Sequence, residues 1–119
     1  MASNNRPIEV DVILPQDFSH SGEALVRVLV EDVSALDAPA KIIAQKRLET
    51  NVAPGKHIVT TVEVPFDEVD PSRSYNVRAH VSLNQTDDID TGDLITTQSI
   101  PLRIEQQQTR LSVPLREVR

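Results

Sequence analysis

Apolar and polar residues alternate with a period of two along most of this chain. Ile8, Val10, Val12 and Leu14 are separated by Glu9, Asp11 and Ile13 and stopped by Pro15. Val26, Val28 and Val30 interleave with Arg27, Leu29 and Glu31. Ile58, Thr60, Val62 and Val64 alternate with Val59, Thr61 and Glu63 up to Pro65. Tyr75, Val77, Ala79, Val81 and Leu83 alternate with Asn76, Arg78, His80 and Ser82. Successive side chains of a strand point to opposite faces, whereas a helix needs apolar residues three and four apart. The pattern commits the chain to half-buried strands. Ile42 to Leu48 reads as another strand, with an irregularity of the kind a bulge produces. Leu94 to Ile100 and Leu111 to Leu115 complete the set.

Ser21-Gly22, Pro54-Gly55, Asp70-Pro71 and Thr91-Gly92 supply turn chemistry between these runs. About seven short strands punctuated in this way predict an all-β fold, an immunoglobulin-like β-sandwich of antiparallel strands, with an open barrel as the alternative. The chain has 119 residues, enough for one core. The expected organisation is a flexible N-terminus over 1–7, one sandwich domain over 8–116 and a tail over 117–119. Pro65, Pro101 and Pro114 cannot donate to a ladder and belong at strand ends or edges. Tyr75 opens a strand just after the Asp70-Pro71 turn, the grammar of a tyrosine corner, in which the hydroxyl bonds back to upstream backbone. Pro65, Asp70, Pro71 and Tyr75 are therefore read as structural residues. The alternative is a simple core tyrosine.

Composition removes whole function classes. Asp and Glu number 18 against 12 Lys and Arg, a net charge of -6, and no basic stripe offsets it, so nucleic acid is excluded as a partner. Phe18, Phe66 and Tyr75 are the only aromatics, which leaves no stacking platform for bases or sugars. With no cysteine there are no disulfides, thiolate metal sites or thiol nucleophiles. No apolar run reaches the length of a membrane span. Met1 to Val10 holds neither an apolar signal core nor a lipid-bearing cysteine, so a chain complete as written is expected in the cytoplasm.

Little in the sequence carries reaction chemistry. The acidic stretch with Asp87, Asp88, Asp90 and Asp93 invites a cation, but Gly92 stands where a third ligand is needed and no Glu closes the shell. The other reading of the 84–93 loop is a solvated tip whose charges discourage edge pairing. His20, His57 and His80 lack the i, i+2 or i, i+4 partners that preform a metal site. Ser19, His20 and Glu23 are the right residue types for hydrolysis without an elbow or oxyanion loop to place them. Glu31 and Asp32 point to opposite faces of a strand and cannot share a site. No catalytic residue and no cofactor are expected. Leu25, Leu29 and Val33 instead make the second face of the Val26–Val30 strand apolar, with Arg27 and Glu31 interleaved. That face is either covered by the chain itself or a protein-docking patch.

Several stretches resemble a known family. Leu29-Val30-Glu31-Asp32-Val33-Ser34 with Asp37-Ala38-Pro39-Ala40, then Ile43-Ala44-Gln45, is similar to a strand, turn and strand of the YbaY-type lipoproteins of Gram-negative bacteria, which are grouped with the YscW lipoprotein chaperones of type III secretion, or pilotins. Val64-Pro65-Phe66-Asp67, Val69-Asp70-Pro71 and Tyr75-Asn76-Val77-Arg78-Ala79 resemble the family's central block, and Gly92-Asp93-Leu94 with Thr96-Thr97 its following hairpin. The likeness runs from Ile8 to Leu115. It implies a β-sandwich, a periplasmic or envelope-associated setting, no catalysis, and a secretin-like protein partner. The runner-up is a different class, a ligand-binding module holding a cation or small polar molecule at the 84–93 loop. Oligomeric state is left open by either reading.

Overall fold

The computed structural model describes residues 5–18, 20–35, 38–70, 72–103 and 110–119. It is an all-β sandwich of two sheets, with strands β1 (Asn5–Ile13), β2 (Gly22–Asp32), β3 (Lys41–Val52), β4 (His57–Pro65), β5 (Tyr75–Ser82), β6 (Leu94–Ile95), β7 (Arg110–Pro114) and β8 (Arg116–Glu117). One sheet has the order β4-β1-β7 and the other the order β3-β2-β5-β6-β8. A short 3-10 turn at Phe66–Glu68 leaves β4.

Period-two patterning decides which faces meet. Ile8, Val10, Val12, Val26, Val28, Val30, Ile58, Val62, Val64, Val77, Ala79 and Val81 are all buried in one cluster between the sheets. Their β-branched side chains suit a pleated surface. Pro54-Gly55 reverses the chain between β3 and β4; Gly55 has φ +71°, and a Cβ there would lie 2.6 Å from the Gln16 amide. The backbone angle favours glycine, whereas the exposed Gln16 amide could swing aside.

Four details differ from the expectation. First, β1 begins at Asn5, ahead of Ile8, so residues 5–7 are part of the sheet rather than a loose end; residues 1–4 lie outside the described residues. Pro7 pairs with Glu63 of β4, and the pairing of β1 with β7 among the described residues runs from Glu9 to Ile13. Arg6 also sits over the Phe66 ring, 4.6 Å from its centroid, which anchors this end. Second, β1 and β7 run parallel, whereas the other pairings are antiparallel. Third, the expected tail is pinned: Glu117 pairs with Leu94, and the Val118 N–H donates to the Asp93 carbonyl at 2.8 Å. The chain thus leaves one sheet at Pro114 and joins the other at Arg116, with Leu115 buried at the crossing. Fourth, the run from Leu94 forms ladder pairs only at Leu94 and Ile95. The irregularity in β3 is real: Val30 pairs with Ala44 and Glu31 with Ile42, leaving Ile43 as the extra residue.

Two corner contacts carry predictions. The Tyr75 hydroxyl accepts a hydrogen bond from the Asp70 backbone N–H at 2.9 Å. Asp70 also accepts from the Ser72 N–H and hydroxyl at 2.9 and 2.7 Å, which lowers its carboxyl pKa. Pro65 ends β4, and Pro71 lies outside the described residues. Tyr75→Phe leaves the Asp70 N–H without its partner and should cost about 0.5–1.5 kcal/mol in urea denaturation. An unchanged midpoint would mean that water replaces the hydroxyl fully.

Nearby, Asp32 accepts from the Ser34 N–H at 2.9 Å and from Arg73 at 2.7 Å. The Ser34 bonds, with Arg73 adding to them, hold its carboxyl at a pKa of about 2. A pKa depressed on folding contributes stability above the unfolded value of ~3.9 and loses it as pH falls towards the folded value. Melting temperature should therefore fall more steeply between about pH 4 and 2 in the wild type than in Asp32→Asn. Parallel curves would remove Asp32 from the acid response.

Candidate functional site

The outer face of the five-stranded sheet holds a connected polar arrangement. It is built by register. Arg27 on β2 pairs with Arg47 on β3 and with His80 on β5, so these side chains form one transverse row on a single face. The adjoining rows are Glu49, Leu25 and Ser82 on one side and Gln45, Leu29 and Arg78 on the other.

The two guanidiniums of Arg27 and Arg47 side by side would repel, and the acidic 83–93 loop answers them. It leaves β5 and folds back over the face as far as β3. Asp87 forms a close ion pair with Arg47. The Asp87 carbonyl accepts from Arg27 Nη1 at 2.8 Å, while its carboxylate lies 3.7 Å from Arg27 Nε. Deeper in, His80 Nε2 meets the Asp93 carboxylate at 2.9 Å, and both side chains are 1% exposed. Asp93 also accepts from the Leu83 N–H at 3.1 Å and the Asp90 N–H at 3.0 Å. Burial by itself would raise the Asp93 pKa, but these donors and His80 outweigh it and hold the carboxyl below its ordinary range. Arg47 lowers the Asp87 carboxyl in the same way.

Arg27 Nη1 lies 3.1 Å from His80 Nδ1. A guanidinium only donates, so Nδ1 must accept and the proton must sit on Nε2, facing Asp93. Neither ring nitrogen is free. This Arg-His-Asp line has the residue types of a proton relay but no lone pair open to a substrate. It is a structural clamp. One flaw remains in it: Arg27 Nε is buried without a hydrogen-bond partner.

Two sequence readings are corrected here. Leu25 and Leu29 are 4% and 0% exposed, so they offer no open docking patch. Glu31 is buried as well and accepts from Arg78 Nε and Nη2 at 3.0 and 3.1 Å, while Val33 is half-buried and Arg27 lies in the row beneath the loop. The charged residues of this face are paired within the chain, Arg27 with Asp87 and Glu31 with Arg78. The cation reading fails for a related reason. Asp87 and Asp93 are committed to Arg47 and His80, Asp90 accepts from Asn84 at 3.1 Å, and exposed Asp88 offers its carbonyl to the Thr86 hydroxyl at 3.4 Å. Their carboxylates do not converge, and among the described residues no group of three His, Asp or Glu could hold a metal ion. The other histidines are apart from this site: His57 Nδ1 pairs with Asp11 at 3.1 Å, and the His20 ring stands 6.0 Å from that of Phe18.

Sequence reading placed Arg27 among the apolar residues of a candidate docking face and His80 on the polar face of its strand, but missed the row and Arg47 altogether. The available signal was outward parity on three strands, which needs the register to become a site.

The face has one open side. β3 is an outer strand of its sheet, long and mostly exposed, and Ile42 on its outer face is 46% exposed. No helix among the described residues is long and apolar enough to cross a membrane.

Known proteins bear on this architecture. The fold is similar to the structure of an alternative pilotin from the type II secretion system of Vibrio cholerae, with a TM-score of 0.71 and 22% identity over 98% of this chain and 99% of that one. No curated protein sequence matches the chain. Residues 3–115 match the family described as type III secretion system lipoprotein chaperone, YscW. With that match running through every strand from β1 to β7, the chain belongs to the YscW family of lipoprotein chaperones.

Proposed function

We propose that this protein is a non-catalytic chaperone of the cell envelope that binds a segment of a secretin-like subunit. Membership of the YscW family over residues 3–115 carries the reading. Two features of the site support it. His80 has both ring nitrogens occupied, so the most enzyme-like cluster has no free base. Among the described residues no strand pairs with the outer side of β3, whose backbone groups can there take an extended segment that extends the sheet. Affinity in that mode comes from main-chain hydrogen bonds, and specificity from side chains on alternate positions.

The test is size-exclusion chromatography of the full chain with the secretin subunit of the same organism, at tens of micromolar. Co-elution is expected, and deuterium exchange should then show new protection along β3. If the two elute separately, the chaperone reading fails. If they co-elute with protection confined to β4 or β7, the partner is right and the edge is wrong.

A further inference from the structure

We propose that Asp87 is a placeholder, an intramolecular carboxylate on the Arg47–Arg27 pair that an acidic residue of an extended partner displaces when it adds to β3. This rests on the edge-binding reading above and names the chemistry of the partner.

Register supplies the first argument. A residue placed opposite Arg47 on an added strand shares its face and lies beside it. Its side chain would enter the space that Asp87 now fills from above. The second argument is the imperfect fit of the present occupant. Asp87 pairs closely with Arg47 but stays 3.7 Å from Arg27 Nε, which is buried and lacks a hydrogen-bond partner. The Asp87 side chain is itself 61% exposed, so it can leave without unfolding the core. A carboxylate arriving along the sheet can satisfy Arg47 and the idle Arg27 donor together, as a guanidinium fork favours. Charge supplies the third. The chain carries -6 overall, yet β3 holds Lys41, Lys46 and Arg47 against Glu49. Lys46 lies on the Val28 face and Glu49 on that of Arg47, so on the face in question the edge suits a strand with an Asp or Glu opposite Arg47 itself.

The probe is a short acetylated and amidated peptide alternating valine and glutamate, with a valine–glutamine peptide as control. Both are titrated into the full chain while binding is followed by amide chemical shifts. Wild type should bind the glutamate peptide, with shifts along β3 and the 83–93 loop. Asp87→Asn should bind it about two- to fivefold more tightly, the effect of removing an exposed competing ion pair. Arg47→Gln should weaken it by a similar factor. Neither variant should change binding of the glutamine peptide. Equal binding of both peptides, no gain in Asp87→Asn, shifts away from β3, or dimerisation of the chain through β3 would each overturn the proposal. If the peptide behaves as expected but the secretin does not co-elute, the chaperone reading fails and this one stands. The reverse result discards this inference alone.

Discussion

Val28→Asp is expected to abolish cooperative folding. Val28 is fully buried at the centre of β2, paired with Lys46 on one side and Ala79 on the other, and its side chain belongs to the cluster between the sheets. A carboxylate there loses its hydration and gains no partner, a penalty of about 4 kcal/mol or more. Domains of this size have roughly 5–15 kcal/mol in total. The variant should show no sharp thermal transition and should bind a hydrophobic dye. Val28→Ala is the control, expected to melt cooperatively at lower temperature because it leaves only a small cavity. A wild-type melt from the aspartate variant would mean that this side of β2 does not face the core.

Asp93→Ala should have the next largest effect. Its carboxylate accepts from His80 Nε2 and from the Leu83 and Asp90 backbone N–H groups, at 1% exposure. Removing it strands these donors in a buried place, which should cost about 3–5 kcal/mol in urea denaturation. The loss should be local as well as global. Amides of the 83–93 loop should exchange faster, and so should that of Val118, which donates to the Asp93 carbonyl, because the loop and chain end are tied at this residue. Asp87→Ala, by contrast, should leave the melt nearly unchanged, since its carboxylate is exposed. Equal melts for Asp93→Ala and wild type would show that the clamp does not hold the loop.

The contrast between these aspartates shows what can be read from a chain alone. Both belong to one acidic run, and in sequence they look like equivalent members of a weak cation loop. In three dimensions Asp93 is buried against His80 while Asp87 lies over Arg47 and Arg27. Leu29 makes the same point from the apolar side. Alternation correctly put it opposite Val28 and Val30, but the setting of that face depended on residues far away in sequence, such as Arg78, which pairs with Glu31 beside it.

Which residues line the core was determined locally, because a strand turns each side chain through half a circle and the polar–apolar pattern records the result. Val10, Val28, Val62 and Val77 needed no partner to be assigned. The Tyr75 corner was equally local, since the hydroxyl reaches back only to Asp70. Register between strands was not local. It decided that Arg27, Arg47 and His80 share a row, that β7 lies parallel to β1, and that the chain end crosses from one sheet to the other. Each of these depends on how distant segments align, and a period of two is satisfied by any shift of two residues. Only packing of the complete sandwich selects one alignment, and with it the basic row beneath Asp87.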